Sequence, residues 1–560
     1  MVNQELLIHS AQEYYQYLQD NQLGVEELRI KSKIPTLAGI TIYLGQKIFG
    51  LDGLLVRFMQ QDYAIGEEES IKVETYDEKG AILVLHIAEA QLLEQIHQNA
   101  HQLTLITDLK FLVANTRDFF AHFAIHLPST PQQPLTPEEL PTDRLSIEQQ
   151  KAIGKIFSAP LSYIWGAPGT GKTQRVLFES VLILIKRQKK IAIIAPTNHA
   201  LEQALKTIIK KADDLQISRN LFLRFGIPSL EFLSHFPEVC DSGSIRQDQL
   251  SLFTYNNSKD RIKEAKVFAM TLDGFIKRYA NLKCQFDHIF LDECAFAPLI
   301  KAVSLCANSS PITMLGDHKQ LMPVCEASPK DLELHPKIKL WNLNALFLET
   351  LFTHNQDEIL NQKQLHFQHT QTSILRHTYR YGKNLAQILN DYIYHNKLSG
   401  EGHSQIWLCD TARFLDTQEL SAANTPPSKH TNPQEALAVK KLLHKLRGDY
   451  AIITPFVKQR QLLIQHSVHY ERIFTIHKSQ GQEFDCVIFS PVQLHYHLTD
   501  SANPQALNAL NVAISRVKKH LILVCDAKQW QQMPQQFITA LINEAIKNHT
   551  IITPDLSLDF

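Results

Sequence analysis

The sequence predicts an α/β protein built on parallel sheets and preceded by a small β-rich segment, and three observations predict it. From about residue 144 onward, strand-like apolar runs alternate with helix-like ones, the pattern of parallel sheets. Before residue 128, short apolar runs are separated by turn signals instead, as in antiparallel strands. Between the two lies a stretch with prolines at positions 128, 131, 134, 137 and 141, which reads as an extended, semi-rigid linker.

Taken in order, Leu6 to Leu18 has helical spacing, and the runs Ile40–Leu44, Leu54–Phe58, Ile71–Thr75 and Ile82–Ile87 read as strands. Turn signals at Gly45-Gln46, Asp52-Gly53 and Asp77 to Gly80 divide them, so a meandering sheet or small barrel is expected. Helices are expected over Ala88–Asn99 and about Asp108–His122. After the linker the candidate central strands are Ile191–Ala195, Ile289–Leu291, Ile312–Leu315, Ala451–Ile453, Ile473–Thr475, Val487–Phe489 and Leu521–Val524. Most end in a polar or charged cluster, where ligands sit in such sheets. Ser421–Pro433 reads as a surface insertion. The resulting division is an accessory domain over 1–127, a linker over 128–143, and two α/β domains over 144–360, with a helical insertion about 200–266, and 361–560.

A chain of 560 residues with 44% apolar content forms more than one core. It has no run near the roughly 20 apolar residues that span a bilayer, and Met-Val-Asn-Gln-Glu-Leu has none of the marks of a secretory signal. A soluble, cytoplasmic protein with no membrane partner is expected. The eight cysteines are dispersed and never form Cys-x-x-Cys, and Cys294, Cys325, Cys486 and Cys525 sit in or beside apolar runs, as small hydrophobes do. His495-x-His497 and His366-x-x-His369 lack further ligands at sensible spacing, so they read as surface histidines. The formal net charge of −1 gives no general attraction to nucleic acid, and the basic runs at Lys186–Lys190 and Lys210-Lys211 read as solvated helix ends. Any strand must therefore bind in a local groove.

The chemistry begins at Gly166-Ala167-Pro168-Gly169-Thr170-Gly171-Lys172-Thr173, which follows the apolar run Tyr163-Ile-Trp165. Its glycines let successive N–H groups and the next helix N-terminus wrap a phosphate chain. Lys172 reaches the β- and γ-phosphates as a point charge, and the Thr173 hydroxyl is placed for Mg²⁺. A nucleoside triphosphate is the expected ligand. Asp292-Glu293 then follows His288–Leu291, so two carboxylates stand at a strand end, the first suited to the Mg²⁺ shell and the second to the attacking water. By itself such a pair is often a helix N-cap.

Met314–Pro323 is another strand ending in a polar loop, from which Gln320 can touch the γ-phosphate or water. Arg380, in Thr378-Tyr-Arg-Tyr381, and Arg516, in Asn511-Val-Ala-Ile-Ser-Arg516, suit charge on a transferring phosphoryl group, although either alone reads as a surface ion-pair residue. Between them, Thr475 to Asp485 is rich in hydrogen-bond donors.

In this order the segments resemble the motif series of superfamily 1 helicases, most closely the superfamily 1B branch of the nonsense-mediated-decay RNA helicase and its DNA-acting relatives. The series opens with Leu145-Ser-Ile-Glu-Gln149 and continues through the P-loop, Ala195-Pro-Thr-Asn198, Ala269-Met-Thr271 and Asp292-Glu293-Cys294. It runs on through Gly316 to Gln320, the Arg380 segment, Thr454-Pro-Phe456, Thr475 to Glu483, and Arg516. The resemblance implies two tandem RecA-like P-loop domains that close on ATP and reopen after hydrolysis, driving a 5′-to-3′ helicase or translocase along single-stranded DNA or RNA. It implies Gln149 on adenine, Lys172 and Thr173 on phosphate and Mg²⁺, Asp292 on Mg²⁺, and Glu293 on water. It also implies Gln320, Arg380 and Arg516 around the γ-phosphate and Glu483 near the nucleotide sugar. Thr197, Asn198, Thr271, Pro455, Phe456, Thr475 and His477 would lie along the strand.

Some residues depart from the family pattern. Arg380 is followed by Tyr381-Gly382 where Met-His is usual, and the loop after Gly316 ends Leu-Met-Pro where Leu-Pro-Pro is usual. The N-terminal segment is positioned like the small barrel that precedes the motor in that branch, the alternative being an interaction module of its own. Two other readings of the whole stand beside the helicase: an ATPase that remodels nucleoprotein without unwinding, and a P-loop ATPase governed by a protein partner.

Overall fold

The computed structural model describes residues 4–45, 48, 52–66, 69–77, 80–241, 258–282, 284–354, 356–361, 371–423, 429–466 and 469–554. The expected histidine pair His366-x-x-His369, part of the 200–266 insertion, part of Ser421–Pro433 and part of the turns at Gly45-Gln46 and Asp77 to Gly80 lie outside these residues.

The chain opens with helix α1 (Gln4–Asp20), whose buried Leu7, Ala11, Tyr14 and Leu18 recur at helical spacing. Strands β1 (Val25–Leu28), β2 (Ile30–Thr36), β3 (Gly39–Leu44), β4 (Leu54–Phe58), β5 (Gln61–Ala64), β6 (Ile71–Asp77) and β7 (Ile82–Ile87) follow. Helix α2 (Ala90–Gln98), strand β8 (Thr104–Asp108) and helix α3 (Leu109–His122) complete the segment. The strands form two four-stranded antiparallel sheets, ordered β1-β8-β4-β5 and β2-β3-β7-β6. The expected β-rich accessory segment is present, but it is not a simple meander: β8, the last strand in sequence, lies between β1 and β4. One core serves both sheets, with Val56, Phe58 and Leu105 from the first beside Ile40, Ile42, Leu83 and Leu85 from the second. The strands that sequence reading missed, β1, β2, β5 and β8, include the most exposed ones, in which the alternation is weak.

Helices α1 and α3 anchor this segment to the α/β body that follows. Ser10 Oγ donates to the Lys337 carbonyl at 2.7 Å, Tyr17 donates to Asp331 at 3.0 Å, and Tyr14 packs on Trp341 with ring centroids 5.0 Å apart. Phe119 and Phe123 of α3 meet Tyr279 at 5.4 and 4.9 Å. The proline-rich stretch continues this docking, with the N–H groups of His126 and Ser129 donating to the Cys306 and Ser309 carbonyls.

The body begins with helix α4 (Ile147–Ile156) and strand β9 (Leu161–Gly166). After helix α5 (Phe178–Lys186) come β10 (Ile191–Ala195), α6 (Asn198–Asp214), β11 (Phe222–Arg224), β12 (Val267–Thr271), β13 (His288–Leu291), β14 (Ile312–Gly316) and β15 (Thr372–Leu375). These strands make a seven-stranded sheet ordered β11-β12-β10-β13-β14-β9-β15, in which β10 to β14 pair in parallel. Every residue of β10, β12, β13 and β14 is buried, which is why β10, β13 and β14 read as apolar runs, while β12 is not among the expected strands. The expected helical insertion also carries a strand, β11, at the sheet edge.

A two-stranded pair, β16 (His377–Thr378) with β17 (Ser399–Gly400), precedes the last sheet. That sheet is β18 (Gln405–Asp410), β19 (Tyr450–Thr454), β20 (Ile473–Thr475), β21 (Phe484–Phe489) and β22 (Val517–Cys525), ordered β18-β22-β21-β19-β20 and parallel throughout. The chain divides into two compact units. The first holds 1–164, 173–316 and 322–373, and the second holds 165–172, 317–321 and 374–560. Each is an α/β assembly with a parallel sheet. Among the described residues no helix is long and apolar enough to cross a membrane. Cys294, Cys486 and Cys525 are buried as expected, whereas Cys325 is only partly so.

Candidate nucleotide and strand sites

The second unit takes in the phosphate-binding turn, Trp165–Lys172, and the loop Asp317–Leu321. Gly169 and Gly171 have φ of +80° and +84°, a conformation that L side chains rarely adopt. A Cβ on Gly169 would also stand 2.5 Å from the Cβ of Arg380 and 2.7 Å from Thr378 Oγ1. That close approach is stitched by two bonds: Thr378 Oγ1 donates to the Pro168 carbonyl at 2.8 Å and the Tyr379 N–H donates to the Gly169 carbonyl at 3.0 Å. Lys172 Nζ donates to the Gly166 carbonyl at 2.6 Å, across the turn it closes. Lys172–Leu177 is a wide π-helical turn that runs into α5, a local form concentrated at functional sites.

Around this turn the unit buries a polar network centred on Asp317. Its Oδ1 accepts from Trp165 Nε1 at 3.0 Å, and its Oδ2 accepts from Tyr394 Oη at 2.6 Å and Gln320 Nε2 at 3.3 Å. Gln320 Oε1 in turn accepts from Arg516 Nη2 at 3.1 Å, while Arg516 Nε holds the Val512 carbonyl at 2.9 Å. Asn511 donates to Tyr394 and to the Lys319 carbonyl, both at 2.8 Å. Arg516 is 4% exposed, so it is no surface ion-pair residue. Arg380 Nη1 donates to the Ser515 carbonyl at 2.8 Å, and its Nη2 pairs with Glu483. Gln320, Arg380, Arg516 and Glu483 thus stand in one hydrogen-bonded neighbourhood of this unit. Burial together with the Asp317 charge drives the Tyr394 hydroxyl well above its ordinary pKa, so it acts only as a neutral donor and acceptor. Burial also lowers His318 to about 4, leaving a neutral ring 4.4 Å from Trp165.

Sequence reading missed Asp317, Tyr394 and Asn511 as site residues. Asp317 lies inside the Gly316 to Gln320 motif, but a tyrosine on a helix face gives no signal of its own.

The first unit carries the carboxylates. Asp292 is 5% exposed at the end of β13, and its Oδ2 accepts from Thr173 Oγ1 at 3.1 Å. The next residue, Glu293, has φ of +52°, a left-handed conformation that is uncommon outside glycine and is concentrated at functional sites. Asp292 Oδ1 caps the Glu293 N–H at 3.0 Å. A carboxylate and a hydroxyl in contact form a hard oxygen pair that fits Mg²⁺, whose remaining ligands are usually water and phosphate. Gln149 closes a capping box with Ser146, accepting from the Ser146 N–H at 3.1 Å, and is 4% exposed.

The residues expected along a strand are arranged differently. Thr197 caps α6 through the Ala200 N–H at 3.2 Å. Asn198 Oδ1 accepts from Arg224 at 3.1 Å, and Arg224 is a fully buried guanidinium that also pairs with Glu202 at 3.0 Å. Thr271 Oγ1 donates to Asp52 of the accessory segment at 2.9 Å and accepts from the Gly274 N–H at 2.9 Å. Burial, then the neighbouring Asp273 charge, raises the Asp52 pKa. A cleft of about 520 Å³ runs beside these residues, lined by Pro196, Thr197 and Asn198 together with the carboxylates Glu26, Asp52, Asp108, Asp273 and Glu326. In the second unit, Pro455, Phe456 and Thr475 are buried and His477 is exposed.

An AAA domain model matches residues 149–326, and a second AAA domain model matches residues 350–528. With the phosphate-binding turn and the carboxylate pair, these matches define a P-loop protein of two AAA domains. Among curated proteins the chain is 26% identical to the DNA replication ATP-dependent helicase/nuclease JHS1 of Arabidopsis thaliana, over 73% of this chain and 30% of that protein. It is 24% identical to regulator of nonsense transcripts 1 of Dictyostelium discoideum, over 74% and 34% respectively. It is also 24% identical to an uncharacterized ATP-dependent helicase of Methanocaldococcus jannaschii, over 73% and 72%. The chain spans about a third of the length of the first two of these relatives. It carries two AAA domains and is similar to the superfamily 1 helicases of the branch that includes the nonsense-transcript regulators and the replication helicase/nucleases.

Proposed function

We propose that this chain is an ATP-driven motor of two RecA-like domains that moves 5′-to-3′ along single-stranded DNA or RNA and separates strands. The observation that carries the reading is the buried link from Arg516 to Gln320, joined through Asp317 to Trp165 at the start of the phosphate-binding turn. A network of this kind makes the catalytic groups respond together to one ligand. The names of the relatives, ATP-dependent helicases among them, support the same reading.

Hydrolysis follows from the residues in hand. Lys172 and the backbone N–H groups of residues 169–173 hold the phosphates. Thr173 and Asp292 would hold Mg²⁺, which when bound neutralises charge on the phosphate oxygens. Glu293 orients the attacking water and takes its proton. Arg380, Arg516 and Gln320 stabilise the charge that builds on the γ-phosphate oxygens. Gln149 reads the adenine edge, and Glu483 faces the sugar. Thr197, Asn198, Thr271, Thr475 and His477 contact the strand at phosphate and sugar, which suits a motor that ignores sequence.

Two measurements test this. ATPase activity should rise with matched DNA and RNA oligonucleotides and fall steeply with salt, as phosphate contacts require. Displacement of a labelled strand should occur on 5′-tailed and not on 3′-tailed duplexes. Stimulated ATPase without displacement on either duplex would overturn strand separation, and an unstimulated ATPase would overturn the motor itself.

A further inference from the structure

Phe456 lies in the Thr454-Pro-Phe456 segment expected on the strand, yet its ring is 4% exposed. Other rings cover it. His430 stacks on it at 4.7 Å with planes 15° apart, and His495 stands edge-on to Phe456 at 5.5 Å and to His430 at 5.4 Å. His497 continues the series 6.1 Å from His495, and Tyr496 meets His497 at 4.9 Å. Tyr496 is 62% exposed, unusually open for a large ring.

The loop that presents these rings is held under constraint. Val492 has φ of +68°, a rare state for a β-branched residue that persists only when its surroundings fix it. The Glu435 carboxyl, 1% exposed, fixes it by accepting from the Val492 N–H at 3.1 Å and from Ser490 Oγ at 2.5 Å. Beyond it, the Thr499 hydroxyl accepts from the His495 N–H at 2.7 Å and donates to the Gln493 carbonyl at 2.8 Å, closing the loop on itself. The His497 N–H donates to His495 Nδ1 at 3.3 Å, which orients that imidazole. Exposed lysines flank the rings at Lys429 and Lys458.

We infer that His430, His495 and Tyr496 form a stacking platform for the bases of a single strand, with Phe456 as its buried support and not itself the contact. The inference rests on the proposed strand-binding function and assigns its base contacts in the second unit. Flat rings stack on any base, as a motor that ignores sequence requires, and the flanking lysines suit the phosphates between bases.

The test uses the full chain with labelled oligo-dT and oligo-U strands, and with the same strands carrying abasic sites. Tyr496→Ala should weaken binding of the intact strands by about 5- to 150-fold, the range expected for one base stack. Tyr496→Phe should bind as the unaltered chain does, and abasic strands should bind Tyr496→Ala and the unaltered chain alike. Equal affinity of Tyr496→Ala and the unaltered chain for intact strands overturns the platform alone. So does a deficit that persists on abasic strands, which would mark a phosphate contact. An unaltered chain that binds neither strand overturns the parent reading and this inference together.

Discussion

The residues around the phosphate-binding turn and those proposed for the strand are both partly buried, but they are satisfied in different ways. Within the second unit Arg516 bonds to Gln320 and Arg380 to Glu483, and within the first unit Thr173 bonds to Asp292. The groups proposed for the strand meet instead residues that no motif contains: Thr271 bonds to Asp52 and Asn198 to Arg224, while His430 covers Phe456. A phosphate chain has one geometry, so the groups that receive it come as a fixed set. A strand offers a repeating backbone and can be met by many surfaces, so its contacts are set by what packs beside each motif.

The comparison breaks first at the nucleotide. Arg516→Ala and Lys172→Ala should each lower ATP turnover by about three orders of magnitude or more, since each removes a fixed charge aimed at the transferring group. Glu293→Gln should keep ATP binding, read by equilibrium titration, while turnover is lost. Normal steady-state turnover in any of the three would dissolve the assigned set.

Tyr394→Phe should act next, because it removes the 2.6 Å bond that holds Asp317. A roughly tenfold fall in turnover, with strand affinity unchanged, would show that the buried network serves the nucleotide, the loss being the usual cost of an unsatisfied buried acceptor.

On the strand side, Asp52→Asn should raise single-strand affinity a few-fold at pH above the elevated Asp52 pKa by removing one charge from the carboxylate-lined cleft beside Thr271. Because the Asp52 pKa is raised, the unaltered chain gains this repulsion as pH rises through that elevated value, and Asp52→Asn does not. The difference between the two in fluorescence-anisotropy titrations should therefore close on acidification. An affinity gap independent of pH would count against the assignment.

The smallest effect concerns Glu435, which burial pushes up from 4.5 to about 8. The folded chain keeps a proton that the unfolded chain releases, so stability falls as pH rises across that window. Glu435→Gln should flatten this dependence, with a melting temperature a few degrees above the unaltered chain at pH 9 and little difference at pH 4. A parallel fall in both would mean that another group titrates.

Much of the fold was legible because its strands are buried on both faces. Each run from Ile191–Ala195 to Leu521–Val524 stands out as continuous apolar sequence and is a strand in the structure. The accessory segment was less legible, since β1, β2 and β5 are mostly exposed and their alternation is weak, and since pairing β8 between β1 and β4 is a long-range choice. At the candidate site, the turn with Lys172 and Thr173 and the strand end with Asp292 were legible as patterns of residue type and spacing, whereas Arg516 alone read as a surface residue and is buried in the structure. Tyr394 and Arg224 were not legible, because a tyrosine or arginine acquires its role only from the neighbours that bury it.

The sequence by itself determined the phosphate-binding turn, the carboxylate pair after β13 and the positions of many of the parallel strands, all local features in which residue type and spacing suffice. Only the tertiary structure decided that Arg516 is buried on Gln320, that Asp52 takes the Thr271 hydroxyl, and that histidines cover Phe456. Each of these joins residues far apart in the chain, and such contacts arise from the packing of whole elements, which no short pattern encodes.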